Sequence, residues 1–548
     1  MSTHIRNKIN IKAVISSVLV AAMLFSAAGC SLLGGSSHKK KSHKDDDEEE
    51  EEEIETEESE TEESEERPAT TEPSVDIDPV RPSSAVSTDV DSPEPEYEMV
   101  MELDTDNYTV TGSMILTFTN TSNVSMYDIY LRDYPAAFSD KSASYEMDIS
   151  NATDLRSDEG AEINRDGDDM TTVIVSLKDP VEPGEEISLY MDFVTTLPEV
   201  GDRFGYYEGI YSLTDFYPIL CRFDANANWS HEPYFFDGEC FTTDMSDYTV
   251  ELTVPEGYVV ATGGQIVSEE TDGGYTSYQI TAEDIRDFTA IVGDDFITVS
   301  AESNGIEYYL YYLPDTNVDA QTAIKYMDVC IYAVEYFSEC FGDYPYPTFT
   351  CVFSTMSPNV GGMEYSGLVL IASNLDFEDA DLFYGYSADC VIAHEIGHQW
   401  FMGIVGSNSY LEPWLDESLA SYTEWVYCKE YYPSQASDGI WWLGYDMSTS
   451  ISDYDNAAPG SAYINLPVNK MTDDYTYWFK IYAEGAHFMF LLEQAVGEDV
   501  MYDFIKEYVS RYRFKNATTE DFVNTLYDVV GTDNAEVNKI VNVFLDVD

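Results

Sequence analysis

The sequence predicts two folded parts, an all-β domain of sandwich type over residues 97–302 and a mixed α+β domain over residues 303–548. Two observations lead there. From Tyr97 to about Val299, short alternating runs such as Met114-Ile115-Leu116-Thr117-Phe118 and Tyr248-Thr249-Val250-Glu251-Leu252-Thr253-Val254 are separated by Asn, Asp, Gly and Pro turns. Alternation with period two buries one face of each strand, and many short strands joined by frequent turns build a sandwich. From Asp319 onward the apolar residues fall instead at helical spacing, at Ala323, Met327, Val329-Cys330, Ala333 and Phe337. Strands are predicted at 348–353 and 368–371, with further helices after them.

The first 96 residues belong to neither part. Arg6, Lys8 and Lys12 precede an apolar run from Ala13 to Phe25, followed by Ser26-Ala27-Ala28-Gly29-Cys30. A basic start, a short apolar stretch and small residues make an export signal over residues 1–30. Small residues directly before a cysteine resemble a bacterial lipobox. This predicts Cys30 as the lipid anchor and the protein as an exported lipoprotein on the extracellular face of a bacterial cell membrane. No later apolar run is long enough to span a bilayer. Residues 31–96 are rich in Ser, Glu, Thr and Pro and are predicted to form a disordered tether; 17 of the 22 residues from Asp45 to Glu66 are acidic.

The formal net charge is −78, and the portion from Tyr97 on carries 80 acidic against 17 basic residues. Nucleic acid and anionic lipid are poor partners for such a surface, which reads as a solvated acidic exterior that at most helps cationic peptides toward it. Seven cysteines follow Cys30, at 221, 240, 330, 340, 351, 390 and 428. They are scattered and odd in number, so they read as free buried thiols rather than a disulfide framework; Cys221 and Cys240 are the pair whose spacing permits a bridge.

The chemistry is concentrated in Val391-Ile392-Ala393-His394-Glu395-Ile396-Gly397-His398-Gln399-Trp400. Histidines at i and i+4 on a helix share a face one turn apart and bring two imidazole nitrogens to one zinc ion. Glu395 stands beside them, placed to take a proton from the attacking water and pass it to the leaving amine. A catalytic zinc needs a third protein ligand and an open position. Glu417 supplies it, nineteen residues after His398 in the helical, Trp-containing segment from Glu412 to Ala420. His231 and His487 read as ordinary histidines.

Together these motifs resemble the aminopeptidase N-like gluzincins, whose pattern is HExxH, eighteen residues, then Glu. His398-Gln399-Trp400-Phe401 continues as that family does, and Trp414-Leu415-Asp416-Glu417 is similar to its WLNE. Gly361-Gly362-Met363-Glu364-Tyr365 resembles its GxMEN strand, and Ile481-Tyr482-Ala483-Glu484-Gly485-Ala486 its Y-x-x-G-A helix. Against those patterns Tyr365 and Asp416 replace Asn, Ser418 replaces Gly, and Glu484 stands where many members carry Lys.

The resemblance covers the chain from about Tyr97 on. It implies a thermolysin-like catalytic domain and a short form without the large C-terminal helical domain. It implies that Gly361, Gly362, Met363 and Glu364 bind substrate, with Glu364 pairing the free α-amine of a peptide. It also implies that Tyr482 supports the oxyanion of the tetrahedral intermediate. The expected function is therefore a zinc aminopeptidase acting on peptides outside the cell. The alternatives are a zinc endopeptidase or other zinc hydrolase, and a non-catalytic surface binding protein.

Overall fold

The computed structural model describes residues 94–547 apart from 140–142, 167–169, 237, 239, 315, 358–359, 374–387, 432–462 and 472–473. The leader, Cys30 and most of the acidic tether lie outside the described residues. The β-rich and mixed parts pack into one compact unit.

The first half is built of three sheets. An eight-stranded sheet runs in the order Gln265–Asp272, Tyr275–Ile285, Ser246–Pro255, Glu96–Asp104, Thr109–Thr119, Glu186–Thr196, Asp148–Asp154 and Glu159–Gly160. Strand Glu96–Asp104 shows why it forms: Tyr97, Met99, Met101 and Leu103 are buried while the intervening Glu and Val side chains face out. Its inner face shares one apolar core with Ile129 and Leu131 of Met126–Arg132 and with Val173 and Val175 of Thr172–Val181, strands of a four-stranded sheet. A further four-stranded sheet, from Gly205–Tyr207, Ile210–Leu213, Val259–Thr262 and Ala290–Gly293, completes this half. The sandwich-type reading of the sequence is therefore met.

The second half begins with the hairpin Ile297–Ser303 and Ile306–Tyr312, a few residues before the 302/303 boundary expected from composition. The hairpin opens a five-stranded sheet continued by Thr348–Ser354, Leu368–Ala372 and, at the edge, Gly362–Tyr365. The central strands pair in parallel, which requires a crossover, and helix α1 (Ala320–Phe341) provides it. Asp319 caps α1 by accepting from the Gln321 and Thr322 amides at 2.9 and 2.8 Å. The apolar positions read from the sequence, Ala323, Met327, Val329, Cys330, Ala333 and Phe337, are all buried.

Helix α2 (Ala388–Gly397) and helix α3 (Trp414–Tyr431) pack against each other beneath this sheet's edge strand. Gly397 permits the close approach, because a methyl group there would overlap Thr423 of α3. The remaining described helices are α4 (Asp474–Trp478), α5 (Gly485–Val496), α6 (Glu498–Tyr512), α7 (Thr519–Val530) and α8 (Ala535–Phe544). Among the described residues no helix is long and apolar enough to cross a membrane.

One buried cation ties the halves together. Arg286 donates to the carbonyls of Thr243 at 2.8 Å, Gly403 at 3.0 Å and Lys515 at 2.9 Å, and to Asn516 Oδ1 at 3.0 Å; Met402 also accepts from it. The loop that follows α2 is thereby pinned to both the β half and the C-terminal segment. Burial pulls the Arg286 guanidinium down to about 10, so it remains charged at neutral pH.

Candidate metal centre and active site

The three sequence-predicted metal ligands converge. His394 is in the last turn of α2, and the His398 amide continues that turn by donating to the His394 carbonyl at 3.2 Å. Glu417 lies in the first turn of α3. The two imidazole Nε2 atoms are 3.1 Å apart, His394 Nε2 is 3.2 Å from Glu417 Oε2, and His398 Nε2 is 3.4 Å from the same oxygen. Tetrahedral zinc with bonds of about 2.0–2.1 Å has ligand-to-ligand edges of roughly 3.3–3.4 Å, so this triangle fits the ion.

The outer nitrogens are held as well. His394 Nδ1 is 2.7 Å from Glu424 Oε1, and His398 Nδ1 is 2.7 Å from Asp416 Oδ1 and 3.1 Å from the Phe401 carbonyl. Protonated at Nδ1, each ring donates outward and aims its Nε2 lone pair at the triangle's centre. Ser409 Oγ steadies Asp416 from the other oxygen at 3.2 Å.

The electrostatics favour a cation there. Five buried carboxylates, Glu364, Glu395, Asp416, Glu417 and Glu424, surround two imidazoles. Burial alone would lower the His398 imidazole, yet Glu364, Asp416 and Glu417 outweigh it and raise it well above its ordinary value. Burial likewise pushes the Glu417 carboxyl up, but His398 and His394 hold it far below the usual carboxylate range. Burial pushes Glu424 up to about 8 against the pull of His394. A dication at the triangle neutralises this excess of negative charge.

The other predicted residues gather around the ligands. Glu364 is buried on the edge strand Gly362–Tyr365, its carboxylate within 4.8 Å of a His398 nitrogen and an Asp416 oxygen. A methyl at Gly362 would overlap the Glu395 carboxylate, so the glycine gives the base its room. Gly361 sits against Val391 of α2. Met363 packs in an apolar cluster with Ile210, Ile291 and Leu370, and borders a cavity beside Glu364 that Asp287, Ser407, Ser409 and Asp416 also line. His231 packs beside the Tyr130 ring and His487 beside Phe490, so neither joins the ligand group.

Tyr482 donates to Glu417 Oε1 at 2.6 Å, and its ring stacks over His394 at 5.8 Å. It sits in a single wide turn of π-helix, Phe479–Glu484, that leads into α5. Such a turn frees a carbonyl. Ser418 Oγ, one residue after the ligand Glu417, donates to the Ile481 carbonyl at 2.6 Å, and Gly485 leaves the space that Ser418 fills. Ser418 thus fits in the space beside Gly485, the glycine of the Y-x-x-G-A pattern. Glu484, in the place of the usual Lys, pairs with Lys480 at 3.0 Å.

Sequence reasoning misses Glu424, Gln399 and Arg286 as site-shaping residues. Glu424 was findable, since it lies seven residues after Glu417 and so on the same face of α3. Gln399 joins α2 to the edge strand: its Nε2 donates to the Tyr365 carbonyl at 2.9 Å and its Oε1 accepts from the Gly367 amide at 2.8 Å.

Comparisons with known proteins agree with this geometry. Residues 326–544 match the model of the Peptidase family M1 domain. The chain is 24% identical over 478 residues, 81% of its length, to Aminopeptidase 2 of Candida albicans, and 25% identical over 311 residues, 54% of its length, to Probable aminopeptidase 1 of Sulfurisphaera tokodaii. It spans 46% and 38% of those two proteins, less than half of each. The crystal structure of the M1 zinc metallopeptidase from Deinococcus radiodurans is similar in fold, with a TM-score of 0.57 at 17% identity, over 83% of this chain and 94% of that one. The motif spacing, the converging residues and the match of residues 326–544 to the Peptidase family M1 domain together support the resemblance to the aminopeptidase N-like gluzincins.

Proposed function

We propose that the protein is a zinc-dependent aminopeptidase that removes the N-terminal residue of peptides. The observation that carries this reading is the position of Glu364, a buried carboxylate within 4.8 Å of the metal-site residues His398 and Asp416. A carboxylate there pairs with a free α-ammonium and sets the first peptide bond at the metal. His394, His398 and Glu417 hold the zinc ion, which when bound polarises the scissile carbonyl and the attacking water. Glu395 removes the water's proton as the oxygen attacks and returns it to the departing amine. The Tyr482 hydroxyl, 2.6 Å from Glu417, turns to donate to the oxyanion as it develops. The E323A mutant of the M1 zinc metallopeptidase from Deinococcus radiodurans, solved bound to a Tyr-Ser-Ala substrate, supports a peptide as the substrate class.

The site of action in this reading is outside the cell. The basic start, apolar run and Cys30 support export and lipid anchoring at a bacterial membrane, with the acidic tether holding the catalytic body away from the surface. Membrane-fraction labelling with a radioactive fatty acid, lost on Cys30→Ser, tests the anchor.

The activity is tested by a panel of aminoacyl anilides and their N-acetylated twins. Cleavage confined to the free-amine forms, abolished by a chelator and restored by zinc, is the expected result. Chelator-sensitive cleavage of the acetylated forms would remove Glu364 from its role and favour an endopeptidase or another zinc hydrolase. Cleavage of neither form would favour a non-catalytic binding protein.

A further inference from the structure

The seam between α2 and α3 carries a ladder of side-chain pairs, because the two helices run antiparallel with matched spacing. His394 of α2 meets Glu424 of α3, and four residues further along each helix Cys390 meets Cys428. The two sulfurs are 3.3 Å apart and both residues are buried. Neither has a part in the peptidase chemistry. Each is four residues from a functional group, Cys390 before His394 and Cys428 after Glu424.

We propose that Cys390 and Cys428 form a disulfide that staples the two metal-binding helices together. A disulfide needs its sulfurs at about 2.0 Å, so the pair at 3.3 Å has to close by roughly 1.3 Å. The ring so closed runs from residue 390 to residue 428 and contains His394, His398, Glu417 and Glu424, that is, all three metal ligands and the carboxylate that orients one of them. The cross-link thus keeps the ligands together when the surrounding packing loosens, and slows escape of the ion.

The bond forms by exchange with a small-molecule disulfide, RSSR. One cysteine thiolate attacks RSSR, forming a mixed disulfide and expelling RS⁻, which takes up a proton. The second cysteine thiolate then attacks the protein sulfur of the mixed disulfide and expels the other RS⁻. Two protein thiols are oxidised, one RSSR is reduced to two RSH, and no further oxidant is required. Because both cysteines are buried, exchange takes place as the chain folds or during an opening of the seam.

The test uses the full chain, prepared with glutathione disulfide and, in parallel, with dithiothreitol. Each sample is denatured in N-ethylmaleimide, digested without reductant and mapped by mass spectrometry. The expected result is a cross-linked peptide pair containing Cys390 and Cys428 in the first sample and both residues alkylated in the second. Recovery of both as alkylated thiols after glutathione disulfide would overturn the proposal. A second readout avoids any folding defect of a variant: loss of zinc from the wild-type protein to excess chelator is several-fold slower oxidised than reduced. Equal rates would contradict the role assigned to the bond. Cys428→Ser, where it folds, makes the rate indifferent to redox state.

Discussion

Glu424 Oε1 lies 2.7 Å from His394 Nδ1, two turns along α3 from the ligand Glu417. One helix thus supplies both a metal ligand and the group that orients another. Replacing Glu424 by Ala frees the His394 ring to rotate and to change tautomer. Metal affinity falls about 10–100-fold, read by competition with a chromogenic chelator, while Glu424→Gln, which keeps an acceptor oxygen, loses less.

Gln399 holds the edge strand to α2 through two hydrogen bonds, at 2.9 and 2.8 Å. Gln399→Ala leaves the buried Tyr365 carbonyl and Gly367 amide without that partner and costs about 2–4 kcal/mol, seen in urea unfolding. Because Tyr365 adjoins Glu364, KM for free-amine substrates rises while bound zinc is unchanged.

Gly362 is the residue against which Glu395 rests. Gly362→Ala displaces the carboxylate of the base and leaves the ligands in place. Turnover falls on the order of 100-fold with metal content preserved, which metal analysis beside a kcat measurement separates from simple loss of zinc.

Arg286 is bonded to three segments distant in sequence. Arg286→Met strips the carbonyls of Thr243, Gly403 and Lys515 of a charged donor and destabilises the protein by about 3 kcal/mol. A lowered urea midpoint checks this. The same change loosens the loop after α2.

The contrast among these residues explains what the sequence discloses. His394, Glu395, His398 and Glu417 are legible because helical periodicity and a fixed separation make them a local pattern. The β half is legible at Tyr97, Met99, Met101 and Leu103 because burying one face of a strand imposes strict alternation. Glu424 is hidden by composition, one glutamate among 104 acidic residues, although its place on α3 follows from the same period. Arg286 has no local signature, since four of its five acceptors are backbone carbonyls, which any sequence provides. Ser418 looks like an isolated departure, and only the structure shows its hydroxyl bonded to the Ile481 carbonyl in the space beside Gly485.

In the proposed mechanism His394, His398 and Glu417 hold zinc while Glu395 serves as the base. The most direct test measures bound zinc and peptide turnover side by side in the wild type and in Glu395→Gln. Equal zinc in both proteins and turnover lowered by about 10²–10⁴-fold in the variant are expected. Near-normal turnover in Glu395→Gln with zinc bound would contradict this mechanism.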